Sequence, residues 1–247
     1  MTQYWMMTTP LSKGGELKHF RSIFQNLDGK RYQIGIERGK TGYRHAQIRF
    51  EISSDKPEAE VFNILKFFFP KSHIMKAEIW TDYEGKDGYF ISDTDTKEIR
   101  SQRFGTPTDE QKHILSTLES NNDRQVTVWY DETGGVGKSW LTGHLWERHK
   151  AHAVRMTSSA ENMIKDVASK MSKERRPIVV IDIPRSGKLT QSVYEAIEVI
   201  KDGLIDDPRY QSNALNIKGV KVLVMTNKPV KLAKLSKDRW VVEHSLS

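Results

Sequence analysis

An apolar run, Val126-Thr-Val-Trp-Tyr130, leads within four residues into Gly134-Gly-Val-Gly-Lys-Ser139, and the pattern from Trp140 to Trp146 is helical. Strand, glycine-rich loop and helix in that order restrict the fold, because the loop must sit at the carboxyl edge of a sheet with the helix packed back against it. The same loop is built to cradle phosphates. Gly134, Gly135, Val136 and Gly137 turn successive backbone N–H groups inward, Lys138 reaches the β- and γ-phosphates, and the Ser139 hydroxyl ligates Mg²⁺. The chain is therefore expected to bind ATP with Mg²⁺. A glycine-rich turn followed by a chance Lys-Ser is the bland alternative, and the flanking strand and helix weigh against it. Glu132 stands where such loops usually begin with glycine, which puts an acid beside the phosphates.

The 247 residues, 37% of them hydrophobic, suffice for two ordinary domains with cores of their own. Cysteine is absent, which excludes disulfides and thiolate metal sites and suits a reducing compartment. Metal sites would have to use oxygen and imidazole. No apolar stretch approaches the roughly 18 residues that span a bilayer, and the N-terminus has no charged-then-apolar pattern, so an intracellular protein with no membrane partner is expected. The net charge of +7 favours a polyanionic partner, although a solvated basic surface would have the same bulk composition.

Up to about Phe104 short alternating strands such as 31–37 and 44–52 are interleaved with helices such as 58–69, which stops at Pro70. This is the pattern of a small α+β domain with an antiparallel sheet. The stripe Val61, Ile64, Leu65 and Phe68 is expected to be core. A polar helix N-capped by Thr108 follows, and the region 105–122 is expected to be a linker or oligomerisation helix. From 123 to 247 apolar strands at 125–130, 177–183 and 220–225 alternate with helices, the pattern of an α/β domain with a parallel sheet.

In such a sheet the strand Ile178-Val-Val-Ile-Asp182 delivers its acid to the edge that carries the phosphate loop, where Asp182 can hold a water on Mg²⁺. Taken alone, Asp182 reads equally well as a strand-end cap before Pro184. Ile183 occupies the place of a second acid, leaving Glu132, Glu195 and Glu198 as candidate hydrolytic bases. Asn227, at the tip of the strand ending Val-Met-Thr-Asn, can hydrogen-bond a γ-phosphate or the attacking water. Arg239 can stabilise charge on the transferring phosphate if it reaches a neighbouring subunit. This ordered series of loop, strand-end acid, strand-end Asn and Arg resembles the superfamily 3 helicases, hexameric ATPases of small DNA viruses, and the wider AAA+-like P-loop fold.

Glu37, His45 and Gln47 lie on two consecutive predicted strands joined by a turn at 39–42. His45 and Gln47, two apart, share a strand face. With Glu37 opposite, they offer an imidazole and two oxygens, a set suited to Mg²⁺ or Mn²⁺. An isolated His-x-Gln is more often ordinary sheet surface. Tyr83 and Lys86, three apart, are expected on one helix face, where the phenol can act as a covalent nucleophile and the ammonium can steady its phenolate.

Tyr4-Trp-Met-Met-Thr-Thr-Pro10, Glu37 with Arg44-His-Ala-Gln47, and Asp82-Tyr-Glu-Gly-Lys-Asp87 occur in the order and spacing of a rolling-circle replication initiator. Over nearly its whole length the chain resembles the Rep proteins of circular single-stranded DNA viruses, such as circoviruses and nanoviruses, and related plasmid initiators. The resemblance implies an HUH-type endonuclease domain over 1–104 and a superfamily 3 helicase over 123–247. Its implied roles are metal ligation by Glu37, His45 and Gln47, phosphate attack by Tyr83 assisted by Lys86, and nucleotide binding by Gly135, Gly137, Lys138 and Ser139. Asp182 would serve Mg²⁺, Asn227 the sensor role, and Arg239 a finger acting in trans. Lys218 and Lys221, flanking Gly219, would form a DNA-gripping hairpin. The implied partners are single-stranded origin DNA, five further copies in a hexamer, and host replication machinery, in a nucleus for a eukaryotic virus or in bacterial cytoplasm for a plasmid.

Two rival readings are an origin-binding ATPase with a decayed nuclease, and a P-loop ATPase of another kind with an unrelated N-terminal module. Retention of Glu37, His45 and Tyr83 weighs against both. His144, His149 and His152 lack an acid at ligand spacing. The basic run Lys173-Glu-Arg-Arg176 reads as a solvated loop, and Trp5, Trp80 and Tyr89 as core or rim residues with the option of stacking on bases.

Overall fold

The computed structural model describes residues 2–11, 19–39, 42–53, 55–207 and 213–245. The chain divides into two compact units, Met1–Phe104 and Gly105–Ser247.

In the first unit β1 (Thr2–Pro10), β2 (Gly29–Arg38), β3 (Arg44–Ser53), β4 (His73–Ala77) and β5 (Phe90–Ser92) form an antiparallel sheet in the order β4-β1-β3-β2-β5. Side chains alternate across a strand, so each strand divides its residues between two environments. Trp5, Met7, Ile34, Ala46, Ile48, Phe50 and Ile52 bury one face against Phe20, Ile23 and Phe24 of α1 (Phe20–Asn26) and Val61 and Leu65 of α2 (Glu58–Phe68). Glu37 is opposite His45, Gly35 opposite Gln47 and Gln33 opposite Arg49, and cross-strand partners share a face, so these six occupy the side away from that core. One expectation changes. Phe68 is 45% exposed, whereas Phe69 is fully buried, because the helix ends at Phe68 and the next residue turns into the core before Pro70. Trp5 is a core residue, its Nε1 donating to Gln3 Oε1 at 3.2 Å. The unit ends with α3 (Lys97–Phe104).

The second unit contains α4 (Asp109–Ser120), β6 (Val126–Tyr130), α5 (Lys138–Glu147), β7 (Ala151–Arg155), α6 (Ala160–Lys173), β8 (Ile178–Asp182), α7 (Gln191–Asp202), β9 (Leu204–Asp207), β10 (Asn213–Asn216), β11 (Lys221–Thr226) and β12 (Trp240–His244). Five strands form a wholly parallel sheet in the order β12-β6-β11-β8-β7. Parallel strands are buried on both sides, which accounts for the unbroken runs Val-Val-Ile in β8 and Val-Leu-Val-Met in β11. Met163, Val167, Ile197 and Ile200 of α6 and α7 cover one face. Ile114, Leu118, Leu141 and Leu145 of α4 and α5 cover the other, around Trp129. Thus α4, expected as a linker or oligomerisation helix, packs as a layer of this unit. Its start is fixed by a capping box in which Thr108 and Gln111 bond each other's backbone N–H.

The register sets Trp129, Met225 and Asp182 level across three strands, so the segments leaving β6, β11 and β8 emerge at one edge. Among the described residues, no helix is long and apolar enough to cross a membrane.

Lys201 of α7 is 2% exposed and donates to Val220 O at 2.9 Å. Burial, aided by the neighbouring Lys221 charge, pulls its pKa down to about 8 from an ordinary 10.5. Between those values the unfolded chain keeps the proton and the folded chain releases it, so this residue's contribution to stability rises with pH. Lys201→Met should lack that rise. Its stability relative to the parent should fall by about 3 kcal/mol between pH 8 and pH 10.5, measured by urea unfolding at both values, and a constant difference would refute it.

Candidate functional sites

In the first unit the segment that follows β4 folds back over the sheet face opposite the core. Tyr83–Gly85 is a three-residue 3₁₀ turn closed by Gly85 N–H to Asp82 O and Lys86 N–H to Tyr83 O, both 3.1 Å, where a helix was expected. Residues three apart eclipse one another in a 3₁₀ turn, so Tyr83 and Lys86 still meet. Two features hold this turn down. A Cβ on Gly35 would come within 2.0 Å of Glu84 O, so the absence of a side chain in β2 is what lets the turn approach. Beneath it Glu84, 3% exposed, receives Arg49 Nε on both carboxylate oxygens at 3.1 and 3.0 Å, and Arg49 Nη1 donates to Ile79 O at 3.0 Å. A buried charge without its partner is costly, so this pair fixes the turn on β3.

Above that base the expected residues converge. Lys86 Nζ donates to Tyr83 Oη at 2.6 Å and lies 3.9 Å from that ring's centroid. The same ammonium is 3.0 Å from Glu37 Oε1, and Glu37 Oε2 is 3.6 Å from His45 Nε2. Burial alone would lower the Lys86 pKa, but the hydrogen bond to Tyr83 and the ion pair with Glu37 outweigh it and hold the group above its ordinary value. Lys86 is thus a cation at neutral pH, able to stabilise a phenolate and unsuited to act as its base. Gln47, two residues from His45 and opposite Gly35, lies on the same face. Thr8 and Pro10 of β1 pair with Gln47 and His45. Tyr83 is half exposed. Lys40 and Thr41, in the turn between β2 and β3, lie outside the described residues; Gly42 N–H closes that turn on Gly39 O at 2.9 Å.

The Glu37 carboxylate tests whether the site suits a divalent cation. Its Oε1 is buried and no donor is aligned on it for a hydrogen bond; the Lys86 contact is an ion pair. A buried carboxylate oxygen in that condition, an imidazole and an amide oxygen on one face match the hard, mixed N/O ligand set of Mg²⁺ or Mn²⁺. Among the described residues no cluster of three or more His, Cys, Asp or Glu occurs, so Gln47 would have to complete the set.

In the second unit the loop leaving β6 places Gly134, Gly135 and Gly137 at φ of 84, 91 and 87°, values that favour glycine, before α5 begins at Lys138. Gln111 Nε2 donates to Gly137 O at 3.1 Å and thereby ties α4 to the loop. Lys138 Nζ bonds Asp131 Oδ2 at 2.7 Å. Burial alone would raise the Asp131 pKa; hydrogen bonds from Lys138, the Gly134 N–H and Thr133 more than offset it and keep the carboxylate ionised. The Asp182 pKa is raised by burial, which the Lys138 and Arg155 charges oppose. Asn227 Nδ2 donates to Asp131 O, and the Arg185 guanidinium to Thr133 O. A cavity of about 290 Å³ is lined by Gly134, Lys138, Ser139, Trp140, Arg185 and Asn227.

Other expected residues are placed differently. Arg239 is 6% exposed, with Nη1 2.9 Å from Asp202 and Nη2 3.5 Å from Glu198, both on α7, so its charge is held within its own chain. That contact occupies Glu198; Glu195 is exposed on α7, and Glu132 is exposed on the loop itself. Lys218 and Lys221 do not form a hairpin. The two-stranded hairpin is β9–β10, and Lys218 follows it in a turn with Gly219. Lys221 opens β11 at the amino edge of the sheet, away from the phosphate loop, and donates to Asn121 O. His144 stacks on Trp140, His149 pairs with Glu174 at 2.7 Å, and Arg176 donates to Ala151 O and Trp146 O, so these residues serve packing and backbone bonding. Arg31 covers the Trp80 ring at 3.9 Å.

Sequence reasoning missed Gly35, Arg49, Glu84, Asp131 and Arg185. Arg49 had a signal, since it continues the His45, Gln47 face into a sheet. Asp131 and Arg185 had one too, each lying within three residues of a strand end at the candidate edge.

The chain is 29% identical over 132 residues to Para-Rep C10 of Milk vetch dwarf C10 alphasatellite, a match that covers 52% of this chain and 45% of that protein. Over that region the chain is similar to this viral Rep protein. It thus spans less than half the length of this curated relative. No family model matches. Among solved structures, formyltetrahydrofolate deformylases from Pseudomonas putida KT2440 and Burkholderia mallei ATCC 23344 are 9% and 6% identical, with TM-scores of 0.24 and 0.23. They cover 73% and 88% of this chain and 42% and 84% of theirs, and at those scores carry no argument.

Gly35→Ala should lower stability by about 2 kcal/mol or more and speed amide exchange across 82–86, because the new methyl pushes the turn off the sheet. Gly39→Ala, whose Cβ would meet only Tyr43 O at 3.7 Å among the described residues, should stay within roughly 0.5 kcal/mol of the parent. Thermal melts and hydrogen exchange on the two variants make the comparison, and equal behaviour would count against the close approach.

Proposed function

We propose that this chain initiates rolling-circle DNA replication, nicking and rejoining single-stranded origin DNA through a covalent tyrosine link and coupling this to an ATP-driven helicase. The reading is carried by the continuous line of contacts Tyr83–Lys86–Glu37–His45 on an open sheet face, and it is supported by the alphasatellite Rep relative. Glu37, His45 and Gln47 would hold Mg²⁺ or Mn²⁺, which supplies charge stabilisation at the scissile phosphate. Tyr83 Oη attacks phosphorus as the bond to the 3′-oxygen breaks, leaving a 5′-phosphotyrosine and a free 3′-OH; in the net reaction the phenol's proton is exchanged for the one on that hydroxyl. Lys86 orients the phenol through its 2.6 Å bond and stabilises the developing phenolate. One phosphodiester is exchanged for another, so rejoining is the reverse reaction and needs no ATP.

In the second unit the loop glycines, Lys138 and Ser139 would bind ATP, and Asp182 would serve its Mg²⁺. Asn227 would sense the γ-phosphate, and Glu132 is the candidate base that lies on the loop itself. Homo-hexamer formation, contacts with host replication proteins and location in a nucleus or bacterial cytoplasm belong to this reading as consequences of the Rep resemblance.

With Mn²⁺ and a hairpin-loop oligonucleotide labelled at its 3′ end, label should run with the denatured protein for the parent and not for Tyr83→Phe. No adduct across a panel of origin-like loops, alongside retained ATP turnover, would favour the alternative of an origin-binding ATPase without nuclease activity. Lys138→Ala should lower ATP turnover at least about 100-fold, measured as phosphate release, while adduct formation persists.

A further inference from the structure

The segment leaving β8 is Asp182-Ile-Pro-Arg-Ser-Gly187. It closes as a tight turn, with Gly187 N–H donating to Pro184 O at 2.8 Å. A side chain on Gly187 would meet Met156 and Pro184 O, so the turn is closely packed at this glycine. Lys228, next to Asn227, donates from Nζ to Gly187 O at 2.6 Å and joins this turn to the loop leaving β11. Arg185, in the turn, extends to the phosphate loop, where its guanidinium bonds Thr133 O. A Cβ on Gly134 would lie 2.1 Å from Arg185 Nη2, so the guanidinium runs across the glycine that opens the loop. Lys138 and Arg185 are the cationic residues in the wall of the cavity formed there. Arg239, to which the sequence pattern assigns the transferring phosphate, is buried against Asp202 and Glu198.

We propose that Arg185 is the arginine of this nucleotide site, supplied in cis from the β8 turn, and that it binds the terminal phosphate of ATP in place of a finger from a neighbouring subunit. The proposal rests on the ATP reading above. Its present partner is a neutral carbonyl, and an anionic phosphate oxygen is a stronger acceptor for a guanidinium, so bound ATP would draw the side chain from Thr133 O to the γ-phosphate. In hydrolysis the attacking water's oxygen bonds to the γ-phosphorus, the bridging bond to the β-phosphate breaks, and its electron pair leaves with ADP. Arg185 neither gives nor takes a proton, and its charge matters most as negative charge grows on the transferring oxygens. Because Asn227 bonds Asp131 O and Lys228 bonds Gly187 O, movement of Arg185 would be transmitted to the loops leaving β6 and β11.

The test measures, on full-length chains, binding of ADP and of a non-hydrolysable ATP analogue with Mg²⁺, together with steady-state turnover, for the parent, Arg185→Ala and Arg185→Lys. Arg185 is exposed, so both variants should melt with the parent. Arg185→Ala should weaken the ATP analogue about tenfold or more, leave ADP within roughly threefold, and lower kcat about 100-fold. Arg185→Lys should recover much of the binding and little of the rate, since a lysine lacks the planar fork. Unchanged kcat and ATP-over-ADP preference in Arg185→Ala would overturn the proposal, as would equal loss of ADP and ATP binding, which marks a purely structural turn. Mixing Arg185→Ala with Lys138→Ala chains separates cis from trans: restored turnover would mean that Arg185 serves a neighbour, against the proposal. A parent chain that binds neither nucleotide would instead remove the ATP reading on which the proposal stands.

Discussion

Arg49 and Glu84 lie under the first unit's candidate site, and the position of every group above them follows from their pairing. Both are buried, and neither could keep its charge there alone, so the turn carrying Glu84 is bound to the strand carrying Arg49. Gly35 admits the turn, and the ion pair holds it. Tyr83 and Lys86 are thereby brought over Glu37 and His45, although nearly forty residues separate the two pairs in the chain. A pair of this kind need not add net stability to matter. It specifies one seating of the turn, because a displaced turn would leave two unmatched charges in a dry place.

The second unit meets the same requirement at its phosphate loop. Lys138 must have a counter-charge, and Asp131 supplies it from the first residue beyond β6. Asp182 lies near enough for the Lys138 charge to oppose the effect of its burial. On the proposed reading, phosphate takes the place of these carboxylates as the lysine's partner, so the loop is held in a binding conformation by charges that the nucleotide then displaces. The bonds from Asn227 and Arg185 to loop carbonyls have the same character, since each uses a donor that an anion would attract more strongly.

Fold class was legible in the chain wherever the apolar period was clean. Alternation in 31–37 and 44–52, and the unbroken apolar runs at 178–181 and 222–225, identify antiparallel and parallel strands because burial on one face or two imposes those patterns. Glu37, His45 and Gln47 could be placed together from strand spacing and a turn alone. The contribution of residues distant in sequence was hidden. Nothing local in Gly35 says that Glu84 will rest on it, and nothing in Arg185 says that it will cross Gly134. Arg239 shows the converse: motif order fixed its position along the chain, while acids a turn apart on α7, Glu198 and Asp202, hold its side chain within the chain.

The proposed chemistry in the two units differs in its energetic demand, and the fold reflects this. Exchange of one phosphodiester for another needs no external energy, and the candidate nuclease residues lie on a single sheet face with one short turn laid across it. ATP hydrolysis releases energy that has to be turned into movement, and the second unit joins three strand-end segments through side-chain bonds to carbonyls. Loss of the γ-phosphate would return Arg185 and Lys138 to partners on two different parts of the phosphate loop, Thr133 O and Asp131. The hydrolysis step would therefore be felt as a change in which segments are tied together. Such a device requires donors that can choose between a carbonyl and an anion, and Arg185, Asn227 and Lys228 each hold a backbone oxygen at that edge.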